Sequence, residues 1–223
     1  MKICILIPAH NEEKEIGRLV REVRAKGLDV LVVDDGSKDG TAAIARAQGA
    51  EVLKNDPRRG KGFSLKRGFD HAVGKGYDGV ITMDGDGQHD TDDLARFLAA
   101  AQTTPRGVVN GTRMRDAGAM PLVRRLTNRF MSWMISAISG QRIEDSQCGY
   151  RYVSCDLLRQ ITLTSNDFEI ETEVLLKSCK AGCSVISIPI KTIYRDEKSK
   201  INPVKDTCRF FAYLWRELRN KNN

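Results

Sequence analysis

Residues 2–8, "KICILIP", form a short apolar run closed by Pro8, the pattern of a buried strand. Behind it Ile16, Leu19, Val20 and Val23 recur at helical spacing, and Gly27 closes that helix. "DVLVVDD" (29–35) is a second apolar run, followed by the polar turn "GSKDGT" and a helical "AAIARAQ". A weak short strand at 51–54 precedes a helix bounded by glycines over 60–76. Then come a strand "GVITM" (79–83), a helix over 92–102 and a strand "GVVNGT" (107–112). Strand and helix alternating at this spacing predict an α/β fold with a mostly parallel sheet covered by helices on both faces. Ligands of such sheets bind outside the carboxyl ends of the strands, which is where Asp34, Asp35, Asp84 and Asp86 fall.

After residue 112 the pattern changes. "MPLVRRLTNRFMSWMISAISG" (120–140) is apolar but carries Arg124, Arg125 and Arg129, and "CSVISIPIKTIYR" (183–195) is strand-like. The last twenty residues read as an amphipathic helix, with Val204, Cys208, Phe211, Leu214, Trp215 and Leu218 on one side.

Composition narrows the partner. A hydrophobic fraction of 41% and a charged fraction of 29% are those of a soluble globular protein. No run of 18 apolar residues is present, and the N-terminus lacks the small-residue cleavage site of a signal peptide. Six cysteines without CxxC spacing, and only three histidines, argue against zinc and for free thiols in a reducing, cytoplasmic compartment. The net charge of +7 points to an anionic partner. Nucleic acid is disfavoured, because aromatics make up 6% of the chain and the presumed site is acidic.

The candidate chemistry centres on "ITMDGDGQHD" (81–90). Side chains alternate with period two along a strand, so Asp84 and Asp86 project to the same side. With an oxygen from Gln88, they suit a hard divalent cation, Mg²⁺ or Mn²⁺, which leaves coordination positions for substrate phosphates. Gly85 and Gly87 permit close backbone approach to a ligand.

The turns "IPAHNEE" and "VVDDGSKDGT" with this acidic loop, in this order, resemble the nucleotide-sugar half of family 2 glycosyltransferases, which have the GT-A fold. "GTR" (111–113), "PLVRRLTNR" (121–129), "EDSQCGYR" (144–151) and "YRDEKSK" (194–200) are similar to blocks of dolichyl- and polyprenyl-phosphate mannosyl- and glucosyltransferases. The resemblance implies one GT-A catalytic domain over 1–223, with a nucleotide-sugar half (1–112) and an acceptor half (113–223). It also implies that Pro8, His10, Glu12, Val33 and Asp35 surround the base and ribose of the donor. Asp84, Gly85, Asp86 and Gln88 would hold the diphosphate through the metal, with Arg113, Arg195, Ser199 and Lys200 reaching phosphate from the other side.

The acceptor decides what else the reaction needs. A saccharide hydroxyl requires a general base, and in hydroxyl-transferring relatives an "ED" pair like Glu144-Asp145 supplies it. A lipid monophosphate is already anionic and needs cations instead, and Arg113, Arg124, Arg125 and Arg129 lie near an apolar stretch able to meet a prenyl chain. In lipid-phosphate relatives Arg113 and Arg124 fall where acceptor phosphate is held, and Asn128 stands where a relative has Ser. The expected activity is therefore inverting transfer of a hexose from GDP-mannose or UDP-glucose to a polyprenyl or dolichyl phosphate. The chain would visit the membrane surface for its acceptor. The rival is transfer to a saccharide hydroxyl with Asp145 as base. Intact acids speak against a catalytically dead sugar-nucleotide sensor.

Overall fold

The structure is a computed structural model that describes residues 1–114, 120–191, 193, 210–215 and 219. Seven strands form one sheet: β1 (Ile3–Ala9), β2 (Asp29–Asp35), β3 (Glu51–Asn55), β4 (Gly79–Thr82), β5 (Val108–Thr112), β6 (Arg151–Ser154) and β7 (Val185–Pro189). Their order across the sheet is β3-β2-β1-β4-β6-β5-β7. β1 pairs in parallel with β2 and with β4, and β2 pairs in parallel with β3. β6 runs antiparallel to both β4 and β5, while β5 and β7 pair in parallel.

The chain leaves β1 toward β2 and β3, then returns to place β4 on the other flank of β1. Strand order reverses between β1 and β4, and the crevice at such a reversal is where open α/β sheets bind ligands. β1, β2 and β4 are buried along nearly their whole length, as strands covered on both faces must be.

Helices α1 (Ile16–Ala25), α2 (Thr41–Ala47), α3 (Lys61–Gly74) and α4 (Leu94–Thr103) fall where the apolar periodicity places them. α5 (Leu122–Ser139) occupies the apolar, arginine-bearing stretch. The strand-like stretch 183–195 yields only the five-residue β7, and Thr192 and 194–195 lie outside the described residues. Three elements escape the sequence pattern: β6, α6 (Cys155–Gln160) and α7 (Ile170–Lys180). α7 buries Glu171, Thr172 and Glu173 along with Val174, Leu175 and Leu176, so it has no polar face to set a period.

Two apolar cores lie on the two faces of the sheet. One gathers Leu6, Leu31, Val33, Leu65 and Phe69 with Met131 and Ile135 of α5 and Leu175 of α7. The other gathers Ile5, Ile7, Val32 and Ile81 with Leu19 and Phe97. Of the C-terminal helix, Phe210–Trp215 is described. Phe210, Tyr213 and Leu214 are buried in the first core, and Phe211 and Trp215 are exposed. Val204, Cys208 and Leu218 lie outside the described residues. Cys4, Cys148 and Cys155 are buried free thiols, and Cys179 and Cys183 are free and partly buried. Among the described residues no helix is long and apolar enough to cross a membrane.

The contact between β4 and β6 is close enough to test. A Cβ on Gly79 would lie 2.2 Å from Cε2 of Tyr152, a ring fully buried in the core. Gly79→Ala is expected to cost about 1–3 kcal/mol through overpacking, read by urea unfolding. Gly74 ends α3 with open space around it. Gly74→Ala is expected to be neutral or to stabilise by up to about 1 kcal/mol in the same measurement.

Candidate active site

Three turns meet at the carboxyl ends of β1, β2 and β4. The turn after β1 and the turn after β2 lock together through main-chain donors. Asn11 N donates to Ser37 Oγ (2.9 Å), Glu12 N to Thr41 Oγ1 (2.8 Å), and Lys38 N to Asn11 Oδ1 (2.9 Å). His10 Nδ1 donates to the carbonyl of Asp35 at 2.8 Å. Gly85 lies against these turns, its Cα hydrogen facing Glu12 Cγ and the Pro8 carbonyl. Pro8, His10, Glu12, Gly85 and the two aspartates of the acidic loop are thus brought to one edge.

Val33 and Asp35, also expected beside the nucleotide, are both buried. Val33 is fully buried in the core, which leaves its side chain no surface for a ligand. Asp35 is 4% exposed, and its carboxylate accepts from Asn55 Nδ2 (2.9 Å), Arg59 N (2.8 Å) and Gly60 N (2.9 Å). Burial alone would raise its pKa, but these donors hold it below the usual carboxylate range. Asp35 therefore fixes the loop at Arg58–Gly60 that leads into α3.

At the head of α3, Lys61 reaches into the site. Its Nζ lies 2.6 Å from Asp84 Oδ1 and 2.7 Å from Glu171 Oε1, bridging the acidic loop to α7. Gly149 makes this convergence possible, since a Cβ there would lie 2.9 Å from both Asp84 Oδ2 and Glu171 Oε1. Gly149 is in turn pinned by Thr82 at the end of β4, whose Oγ1 donates to its carbonyl at 2.6 Å. Arg151 of β6 backs the cluster, donating to the carbonyls of Glu171 (2.5 Å) and Cys148 (2.6 Å).

The electrostatics separate the two aspartates. Burial pushes the Asp84 carboxyl up, but Lys61, and then His89, hold it down at about 2. Asp86 is pushed up to about 6, first by burial and then by the charge of Asp84. Its Oδ1 accepts from Gln88 N at 3.0 Å. His89 is buried and stacked on Tyr150 (centroids 4.7 Å apart), and burial lowers its pKa to about 4. The neutral ring accepts from Asp84 N at Nδ1 (3.1 Å), which leaves the proton on Nε2.

The second charged pair stands at the end of β5. Arg113 Nε donates to Asp145 Oδ2 at 2.8 Å and Nη2 donates to Oδ1 at 3.0 Å, a bidentate fork. Asp145 is fully buried, and Arg113 N and Gln147 N also approach its oxygens at 3.3 Å. The turn carrying Asp145 is held to α5 by Ser146 N, which donates to Ser132 Oγ at 2.8 Å. Arg124 and Asn128 precede Ser132 by about two turns and one turn on the same side of α5; Asn128 is buried and Arg124 partly buried. Arg195, Ser199 and Lys200 lie outside the described residues, although Ile193 N donates to the Gln88 carbonyl at 2.9 Å.

Among the described residues no group of three or more His, Cys, Asp or Glu is arranged to hold a metal. Asp84 is paired with Lys61. Asp86 carries a charge that its surroundings oppose, and its Oδ1 accepts from the backbone N–H of Gln88. Carboxylate oxygens are the ligands a Mg²⁺ or Mn²⁺ ion prefers, with the rest of its shell left to a substrate's phosphates.

The profile of Glycosyl transferase family 2 matches residues 4–163. The chain belongs to this family. A UDP-N-acetylglucosamine–dolichyl-phosphate N-acetylglucosaminyltransferase of Methanococcus voltae is 30% identical over 217 residues, covering 87% of this chain and 86% of that protein. An undecaprenyl-phosphate mannosyltransferase of Micrococcus luteus is 31% identical over 209 residues, covering 88% and 85%. Among solved structures, glucosyl-3-phosphoglycerate synthase of Mycobacterium tuberculosis, in complex with Mn²⁺, UDP and phosphoglyceric acid, superposes with a TM-score of 0.66. That match is 19% identical and covers 88% of this chain and 72% of the other. The mixed, mostly parallel sheet is the GT-A fold of a family 2 glycosyltransferase.

Lys61, His89 and Gly149 were not singled out as site residues by the motifs. Lys61 follows a glycine at a helix start, where a lysine usually faces solvent. Removing it would leave Asp84 and Glu171 facing each other. Lys61→Met is expected to cost about 3–5 kcal/mol of unfolding free energy, partly recovered in Lys61→Met/Glu171→Gln.

Asp86 gives a pH-dependent prediction. Burial and the charge of Asp84 push its carboxyl up to about 6 in the folded state, above the ordinary carboxylate value of 3.8 that it keeps when unfolded. The folded state therefore loses stability as pH rises from below 4 through 6, and the loss is complete above 6. In the metal-free protein Asp86→Asn is expected to raise the melting temperature by roughly 2–5 °C at pH 8 and by nothing at pH 4. Equal shifts at both pH values would refute the assignment.

Proposed function

We propose that the protein transfers a hexose from a nucleoside-diphosphate sugar, GDP-mannose or UDP-glucose, to a polyprenyl phosphate, with inversion at the anomeric carbon. The observation that carries the choice of acceptor is the state of Asp145. A general base needs an accessible lone pair within reach of a hydroxyl. Asp145 is fully buried, and both of its oxygens are engaged by Arg113. Its chemistry is that of an anchor for a cation, and a fixed guanidinium suits an acceptor that arrives as an anion. Relatives whose names specify dolichyl or undecaprenyl phosphate, aligned over most of their length, support the same reading.

In this reading residues 1–112 bind the donor and the rest of the domain binds the acceptor. Pro8, His10 and Glu12 lie at the nucleotide. Arg113 and Arg124 draw the acceptor phosphate toward the anomeric carbon, with Arg195, Ser199 and Lys200 assigned to phosphate by their motif. An acceptor phosphate oxygen forms the new bond to the anomeric carbon as the bond to the donor diphosphate breaks, so nucleoside diphosphate leaves with the electron pair. Asp84, Asp86 and Gln88 would hold Mg²⁺ or Mn²⁺, which when bound neutralises charge on the leaving diphosphate. The Mn²⁺ and UDP of the solved neighbour are consistent with that choice. Lys61 keeps Asp84 ionised beside it.

The test is transfer of radiolabel from GDP-mannose, UDP-glucose or UDP-N-acetylglucosamine into the organic phase with Mn²⁺ and a polyprenyl phosphate. One donor is expected to label lipid, and Asp86→Ala to lose about 100-fold or more. Asp145→Asn is expected to raise the acceptor KM more than it lowers kcat, since it loosens Arg113. A kcat loss on the order of 10²–10⁴ with unchanged acceptor KM would instead mark Asp145 as the base. Label entering a saccharide, with none in lipid, would overturn the acceptor assignment.

A further inference from the structure

The two carboxylates of the acidic loop are not served alike. Lys61 Nζ lies 2.6 Å from Asp84 Oδ1, whereas among the described residues no cation comes within ion-pair distance of Asp86. The other oxygen of Asp84 is crowded as well. A Cβ on Gly149 would lie 2.9 Å from Oδ2, and His89 Nε2 stands 3.8 Å from it. A divalent ion binds a carboxylate oxygen at about 2.1 Å, so at Oδ1 it would meet the lysine ammonium as a close like charge.

Two features let Lys61 leave Asp84. Glu171 Oε1 holds the same Nζ at 2.7 Å, so the ammonium keeps an anionic partner when Asp84 is given up. A small cavity with room for about one water adjoins the pair, bounded by Lys61, Asp84, Glu171, Leu65 and Val174. The lysine stem is flexible and unbranched, and can turn within that space.

We propose that Lys61 is an internal competitor for the cation site: its ammonium and the metal contend for the same oxygen of Asp84, and Glu171 receives the ammonium when it yields. This rests on the reading of Asp84, Asp86 and Gln88 as metal ligands, and adds to it a control on when the metal binds. Metal binding breaks the Lys61–Asp84 pair, and the negative charge of an incoming diphosphate offsets that loss. Metal and nucleoside diphosphate therefore strengthen each other's binding. Glu171 is a positioning residue here, because it acts through Lys61.

The test reads Mn²⁺ binding to the full chain at pH 8 from the electron paramagnetic resonance of the free ion, with no acceptor and no turnover. Two variants leave the net charge of the cluster unchanged, so a change in the long-range field cannot explain their effects. Lys61→Met/Glu171→Gln vacates Asp84, and is expected to bind Mn²⁺ about tenfold more tightly than wild type in the absence of nucleotide. Glu171→Asp shortens the anchor by one methylene and leaves Lys61 to Asp84, and is expected to bind Mn²⁺ about threefold or more weakly. Added UDP or GDP is expected to tighten Mn²⁺ less in the double variant than in wild type, after correction for the ion bound by free nucleotide. A bridge that only fastens α7 to the acidic loop does not produce these opposite signs.

Equal Mn²⁺ affinity in wild type and the double variant would overturn the competition and leave the metal ligands standing. Should the double variant fail to fold, Glu171→Asp decides alone: unchanged or tighter Mn²⁺ binding overturns the proposal. No Mn²⁺ binding by any form, with or without UDP or GDP, would sink the metal reading and the competition together. The expected order of affinities without label transfer to polyprenyl phosphate would leave the competition standing and count against the acceptor.

Discussion

Lys61 sits between two carboxylates that could not share so small a space without it. Asp84 arrives from the end of β4 and Glu171 from α7, and Gly149 offers no side chain to keep them apart. A buried cation held by two acids is stable only while all three are present, since loss of one leaves an uncompensated charge. That mutual dependence ties the acidic loop, the head of α3 and α7 into one unit. Asp86, one residue from this balanced cluster, inherits the repulsion of Asp84 without the benefit of a lysine of its own. Its raised pKa describes a position waiting for positive charge.

The arginine on the other side of the cleft follows the same logic with the signs exchanged. Arg113 is nearly enclosed, and Asp145 beneath it is wholly so. Spending both oxygens of a carboxylate on one guanidinium fixes the plane of the fork as well as its charge. The site thus contains anions matched by internal cations and cations matched by internal anions. A substrate that brings its own negative charge meets groups already oriented and loses little in ordering them.

Much of this was legible in the chain. Apolar runs place β1, β2 and β4, and the acids that follow β2 and β4 fall at their carboxyl ends, because strand burial is a local consequence of pattern. The acidic loop was legible for the same reason. The hydrogen bonds that tie Asp35 to Asn55, Arg59 and Gly60 were not, since a motif does not show which neighbours a buried carboxylate takes. β6 hides in the four residues "RYVS", too short for a period, and its antiparallel direction is decided by partners far away in sequence. Glu171 lies on a helix buried all round, where a polar residue gives no hint of a face. Lys61 looked like a solvated helix start because its two acidic partners come from other elements.

β6 has a further consequence, for the order in which the molecule can be built. It enters the sheet between β4 and β5, although the chain makes β5 first and travels through α5 before reaching residue 151. Until then β4 presents an open edge, and β5 has no strand to join to the rest of the sheet. A nascent chain ending near residue 112 therefore holds the whole acidic loop but neither Gly149, Arg151 nor Glu171 to gather it. Closure of the sheet and completion of the charge cluster become a single late event, so the acidic loop cannot reach its final charge balance before residues 149–171 have been made.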